Sequence, residues 1–187
     1  MPNSQSRPVN TDDLVAENVH AIILLADLLA AVPEALYRQT FGARQQHVIG
    51  KHVRHIIDHY LSFIKAVSTL PTTPLNYENR QRDETFEQDK HAARDRLLAI
   101  VDSLEQLTRT PEIPPLQMEH VSDNEQGAVG TTVDRELIFL SSHTIHHMAI
   151  IAMLAEQSGL DVPDGFGVHP STLRHQQRLQ KPIARSA

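Results

Sequence analysis

The stretch His52-Val53-Arg54-His55-Ile56-Ile57-Asp58-His59 decides how this chain is read. It lies inside a longer run, His47 to Leu70, in which Val53, Ile56, Ile57, Tyr60, Ile64 and Val67 recur at helical spacing, so the run is expected to be one amphipathic helix ended by Pro71 and Pro74. Its histidines fall three and four residues apart, which stacks His52, His55 and His59 on one helix face. A second cluster, His143-Thr144-Ile145-His146-His147, repeats that spacing far downstream. Imidazole is the commonest metal ligand, and facing helices of a bundle can pool ligands in their core.

Working outward, three more long helices are expected. The first runs from about Thr11, as N-cap with Asp12 and Asp13 behind it, to Val32, carrying Leu14, Val15, Ile22, Leu25 and Leu29 on one stripe. Pro33 and Gly42 bracket a short region with one helical turn around Ala35 to Gln39. Residues Pro71 to Glu84 read as a polar loop without a periodic apolar face. Thr85 and Gln88 form a capping-box pattern, which predicts a helix from there to about Leu107, stopped by Pro111, Pro114 and Pro115. Leu116 to Val129 alternates weakly around Ser122-Asp123-Asn124, as a short hairpin or ordered loop would. Thr131 with Asp134 opens the last helix, which runs to about Gln157 with Gly159 as its C′ residue. The fold class is therefore all-α, a four-helix bundle over residues 1–160 followed by a polar C-terminal tail, 161–187.

Composition narrows the chemistry. The 187 residues are enough for one ordinary domain, and a net charge of −6 argues against nucleic acid as the main partner. There is no cysteine, so disulfides and thiolate ligands are excluded and any metal is held by nitrogen and oxygen. Such a composition suits a reducing cytosol, and a cytoplasmic location is expected. Met1 to Asn10 has no apolar run of the secretory type, and the most apolar stretch, Ala21 to Val32, is short for a bilayer and interrupted by Asp27; a core helix and no membrane contact are expected.

His143 and His147, four apart and flanked by Leu137, Phe139, Leu140, Ile150, Ile151 and Leu154, can reach one ion from one helix. Taken alone, such a pair is as readily two neutral, hydrogen-bonded histidines lining a core. Six histidines on two helices shift the balance toward a shared ion. One histidine of the earlier helix with His143 and His147 makes a three-ligand site with a free fourth position. His146 points away by about a third of a turn. His52, His59 and His146 then read as second-layer partners, pocket lining or solvent-facing residues, and functionally as proton shuttles, and Asp58 as a supporting carboxylate or helix cap. Arg54 reads as a solvated surface charge rather than an anion-binding group. His20, His47, His91, His120, His169 and His175 are isolated and expected at the surface, with His20 able to face the bundle. Other sites fail on residue type: there is no Glu-x-x-His pair on these helices, no G-x-S-x-G elbow and no Gly-rich phosphate loop, and few aromatics to line a haem.

These residues resemble the DinB/YfiT-like superfamily of metal-binding four-helix bundles. His55-Ile56-Ile57-Asp58 is similar to its H-[apolar]-x-D motif, and His143-Thr144-Ile145-His146-His147 to its H-x-x-H-H motif, in the same helix order from about Thr11 to Gly159. After His147 the family pattern continues toward a Gln, whereas here Met148, Ala149, Ile150 and Ile151 follow. The resemblance implies a divalent metal, zinc or nickel, on His55, His143 and His147. It also implies a homodimer acting on a small molecule, as a metal-dependent hydrolase or a thiol-dependent S-transferase. A non-catalytic metal-binding or stress-response bundle is the alternative.

Overall fold

The computed structural model describes residues 10–71, 73–109, 113–122 and 125–180. Four long helices build the core: α1 (Thr11–Ala31), α3 (Ile49–Ser68), α5 (Lys90–Leu107) and α6 (Val133–Gln157). Between them lie two single-turn helices, α2 (Glu34–Tyr37) and α4 (Thr85–Gln88), and two hairpins, β1 (Thr40–Phe41) with β2 (His47–Val48) and β3 (Leu116–Ser122) with β4 (Glu125–Thr131). A last helix, α7 (Pro170–Gln180), follows the bundle. The all-α bundle with a hairpin before its last long helix is the expected architecture.

Each long helix buries one stripe. Leu14, Ile22, Leu25 and Leu29 of α1 meet Val53, Ile56, Ile57, Tyr60 and Phe63 of α3, Leu97, Ile100 and Leu104 of α5, and Leu137, Leu140 and Ile151 of α6 in one cluster. Helix ends are closed by side chains. Lys90, nearly buried, donates through Nζ to the Val32 carbonyl at 2.6 Å, placing a cation at the C-terminal end of α1. Helices α1 and α6 are long and apolar enough to cross a membrane by length and composition, and half of each apolar window is buried in the bundle. The apolar run of α1 thus extends well beyond Ala21 to Val32.

Several expected boundaries move, each for a local reason. The N-cap of α1 is Asn10, whose Oδ1 accepts from the Asp12 amide at 3.2 Å; Thr11 instead donates through its hydroxyl to Asp134 on α6 at 2.7 Å. The helix expected from Thr85 to Leu107 is broken at Asp89. That residue is extended, with φ −118° and ψ 104°, and its carboxylate accepts from the amides of His91 and Ala92 at 2.8 and 3.1 Å. A good N-cap residue in mid-run starts a new helix rather than continuing the old one. His47 pairs with Phe41 across β1–β2 instead of opening a helix, so α3 begins at Ile49. The cap of α6 is Thr132, which accepts from the Arg135 amide at 3.2 Å, while Thr131 donates to buried Glu136 at 2.6 Å.

The polar loop expected over Pro71 to Glu84 is anchored by its few apolar residues. Leu75 is fully buried and pairs with Met118 of β3, its amide donating to Gln117 O and its carbonyl accepting from the Glu119 amide, both at 2.8 Å. The segment expected as a polar tail also carries core contacts. Phe166 is buried, and Gly167, at φ +69°, lies so close to α6 that a Cβ there would stand 2.6 Å from the Ala149 nitrogen.

Candidate metal centre

Helices α3 and α6 are locked in register by a buried polar chain. Asn18 of α1 donates to Leu14 O and Leu137 O at 2.8 and 3.0 Å, Tyr60 donates to Asn18 Oδ1 at 2.7 Å, and Thr144 donates to the Tyr60 hydroxyl at 3.2 Å. All three side chains are nearly sealed from solvent. Tyr60 follows His59 and Thr144 follows His143 in sequence, so this chain fixes the backbones that carry the two histidine clusters.

Histidines of the two clusters lie against one another between α3 and α6. His55 Nε2 and His143 Nε2 lie 3.0 Å apart. Four rings pack around that contact, with centroid separations of 4.4 Å for His55–His59, 4.5 Å for His55–His147 and 4.6 Å for His143–His147, all face to edge, and 4.3 Å for the tilted pair His59–His143. Ligand nitrogens of His55, His59 and His143 all fall within 4.8 Å of one another. Two imidazole nitrogens sharing one tetrahedral ion at about 2.0–2.1 Å sit about 3.3 Å apart, so the 3.0 Å hydrogen-bond contact of His55 with His143 is close to the spacing a shared ion needs.

Burial, reinforced by neighbouring histidines and Arg80, keeps these rings neutral. It pushes His55, His59 and His147 down to about 3, and it lowers His52 and His143 as well. Neutral imidazole is the form that offers a lone pair to a metal.

Hydrogen bonds sort the histidines further. His59 Nδ1 lies 2.8 Å from the His55 carbonyl, and its Nε2 lies 2.7 Å from Arg80 Nη1. With the proton on Nδ1, both contacts are satisfied and the Nε2 lone pair is taken by the guanidinium; the proton position is assigned from these partners. His147 Nδ1 faces His52 Nδ1 at 3.0 Å, a contact in which one of the two must donate. With His147 as donor, its own lone pair sits on Nε2, the pattern of a metal-binding histidine oriented by an outer partner. His146 is exposed, its ring 5.2 Å from that of His147.

The other residues singled out in the sequence lie as follows. Asp58 is mid-helix and buried, not a cap, and no hydrogen bond joins it to a histidine among the described residues. Arg54 is half-buried and pairs with Glu87 at 3.0 Å, tying α3 to α4, so it is not a free surface charge. His20, His91, His120, His169 and His175 are exposed, and His47 is half-buried, stacked 6.1 Å from His52.

Two neighbours of the cluster carried no signal in the sequence, and a third, Phe139, could be read there only as an apolar flank. Arg80 and Tyr77 come from the loop after α3, where nothing periodic marks them. Tyr77 stacks on His59 with centroids 5.2 Å apart and donates to Glu136 at 2.9 Å. Phe139 stacks on His143 at 5.4 Å and lies tilted against Tyr77 at 5.2 Å. These two rings form an apolar wall beside His59 and His143. Glu136, fully buried, accepts from Tyr77, Thr131 and Arg135 and so fixes that wall to α6.

The chain matches the family model described as the DinB family over residues 1–169. It is also similar to FK506-binding protein 5 of Rhizopus delemar, at 35% identity over 120 residues, which covers 60% of this chain. The chain spans 31% of that relative's length. The family match takes in all four long helices and both histidine clusters, and by it this chain belongs to the DinB family.

Proposed function

We propose that the chain holds one divalent ion, zinc or nickel, on His55, His143 and His147, and that it works as a metal-dependent hydrolase or thiol-dependent S-transferase on a small molecule. The observation that carries this reading is the 3.0 Å approach of two neutral ring nitrogens, His55 Nε2 and His143 Nε2, from opposite helices. His147 is the third ligand in this reading because its Nδ1 has an outer partner in His52, whereas the lone pair of His59 is engaged by Arg80. A bound ion would supply Lewis acidity, lowering the pKa of a water or thiol at its free position.

The chain's own residues do the rest. His52 holds His147 in one tautomer. Arg80 places a cation beside the ligand cluster, which favours an anionic reactant such as a thiolate. Tyr77 and Phe139 limit water on the His59–His143 side. His146, on the exposed side of α6, is the candidate for moving a proton, because both ring nitrogens of His59 are engaged. A cytoplasmic homodimer without nucleic-acid or membrane partners belongs to this reading.

A second reading, a non-catalytic metal-binding bundle, draws on the position of His59. Its ligand nitrogen lies within 4.8 Å of those of His55 and His143, so it is close enough to close the coordination shell. Titrating the cobalt-substituted protein with a small thiol separates the two. A free position gives a d–d spectrum that changes with added thiol. A spectrum indifferent to thiol means a closed shell and removes the enzyme reading.

A further inference from the structure

A second site lies on the other side of Arg80. Helix α3, the segment after it, α5 and β3 enclose a cavity of about 430 Å³ whose charged lining is Asp58, Lys65, Arg80, Asp83, Arg96 and Glu119. No histidine lines it. We propose that this cavity binds a small zwitterion of the free amino acid class, its ammonium group on Asp58 and its carboxylate on Arg80, Arg96 and Lys65.

The argument starts from unpaired groups. Among the described residues, three buried side-chain polar atoms have no hydrogen-bond partner: Asp58 Oδ1, Arg80 Nε and Arg54 Nε. Two of the three belong to this cavity. Asp58 is only 3% exposed, and a carboxylate oxygen sealed from water without a donor is costly. Burial raises the Asp58 carboxyl above its usual range, the charges of Arg54, Arg80 and Arg82 oppose that rise, and none of the three supplies Oδ1 with a hydrogen bond. The other two carboxylates are already engaged. Glu119 accepts from the Asn76 amide at 2.8 Å, and Asp83 accepts from the Thr85 amide at 3.0 Å. Asp58 is therefore the lining acid that still wants a donor.

The cations tell the complementary half. Lys65 and Arg96 are exposed at the rim and form no salt bridge among the described residues; Arg96 lies over the Phe86 ring, 5.6 Å from its centroid, and its charge reaches Asp83. A simple anion would engage these cations and leave Asp58 unpaired. A simple amine would satisfy Asp58 and meet the field of the cations. A ligand carrying both signs on adjacent carbons meets both needs. The volume falls in the lower part of the range of small-molecule pockets, roughly 300–1,000 Å³, which suits a single amino acid. Arg80 connects this site to the histidine cluster through its contact with His59, but the proposal does not depend on a metal being bound there.

The test uses the purified full chain and saturation-transfer NMR with the common proteinogenic amino acids in small pools. At least one is expected to show transfer and to be displaced by none of its partners in the pool that lack signal. For the strongest binder, the matching carboxylate without the amine and the matching amine without the carboxylate are measured at the same concentration. Each should bind about tenfold to a hundredfold more weakly, the factor for loss of one charged hydrogen bond. Lys65→Gln changes an exposed side chain, and Arg96→Gln changes an exposed one whose contact with Phe86 is checked by thermal unfolding; each should weaken the amino acid by a similar factor. Asp58→Asn should abolish the preference for the amine-bearing ligand. No transfer from any amino acid, equal binding of either truncated analogue, or unchanged binding in Arg96→Gln and Lys65→Gln would each overturn the proposal.

Discussion

Replacing Tyr60 by Phe removes one hydroxyl from the buried chain that joins α1, α3 and α6. The Tyr60 hydroxyl donates to Asn18 Oδ1 at 2.7 Å and accepts from Thr144 at 3.2 Å. Asn18 is fully buried, and its amide nitrogen is already committed to Leu14 O and Leu137 O, so Oδ1 is left without a donor. Such an orphaned acceptor costs about 1–3 kcal/mol. Thr144 loses less, because its 3.2 Å bond is long and its hydroxyl can turn to the carbonyl one helical turn back. The sum is about 2 kcal/mol, which in a chain of this size lowers Tm by about 4–8 °C. Urea unfolding of the metal-free protein measures it, and the midpoint should fall while the slope stays constant. The Asn18→Leu/Tyr60→Phe double variant adds a check. With both partners gone no acceptor is stranded, so the two changes should cost less together than their sum, by about 1 kcal/mol or more. A Tyr60→Phe loss below about 0.5 kcal/mol, within the usual range of a neutral substitution, would refute the account of how the histidine helices are held in register.

Three further outcomes are expected. A Cβ at position 50 would stand 2.2 Å from the Glu87 carbonyl oxygen, so Gly50→Ala should destabilise by about 2 kcal/mol in thermal unfolding despite alanine's better helix propensity, and a gain in Tm would contradict the α3–α4 packing. The metal-free protein should lose stability as pH falls from 7.5 to 5.5, above the carboxylate range. The unfolded chain takes up protons near the ordinary histidine value of 6.5, while the folded chain holds His55, His59 and His147 down to about 3, so each step down in pH favours unfolding; a flat Tm across that window would count against neutral, buried rings. Metal-edge anomalous diffraction should place His55 nitrogen, and not that of His52 or His59, closest to the ion on the α3 side; a nearest nitrogen from either of the others would move the ligand set by one helical turn.

The sequence carried the parts of the fold whose signal is local. Helices α1, α3, α5 and α6 were legible because their apolar residues repeat at helical spacing, and the pairing of His143 with His147 because a four-residue step is one turn. The meeting of His55 with His143 could be anticipated from two apolar helix faces that each carry histidines. What stayed hidden depends on contacts across the chain. Leu75 is a core residue only because it pairs with Met118, and that pairing carries Tyr77 and Arg80 to His59. His47 lies in a stretch of helical composition, and its strand pairing with Phe41 has no periodic signature. The break at Asp89 was written in the sequence as a good N-cap residue, but the Thr85/Gln88 pattern offered an equally good start four residues earlier.

Elemental analysis of the protein purified without a histidine tag, beside a His143→Ala/His147→Ala variant, tests the metal-site account most directly. The wild-type chain is predicted to retain close to one zinc or nickel ion per chain, and the double variant, left with the α3 histidines alone, to lose nearly all of it while remaining folded by circular dichroism. Full metal content in the folded double variant, or none in a wild-type chain offered zinc and nickel, would contradict the account.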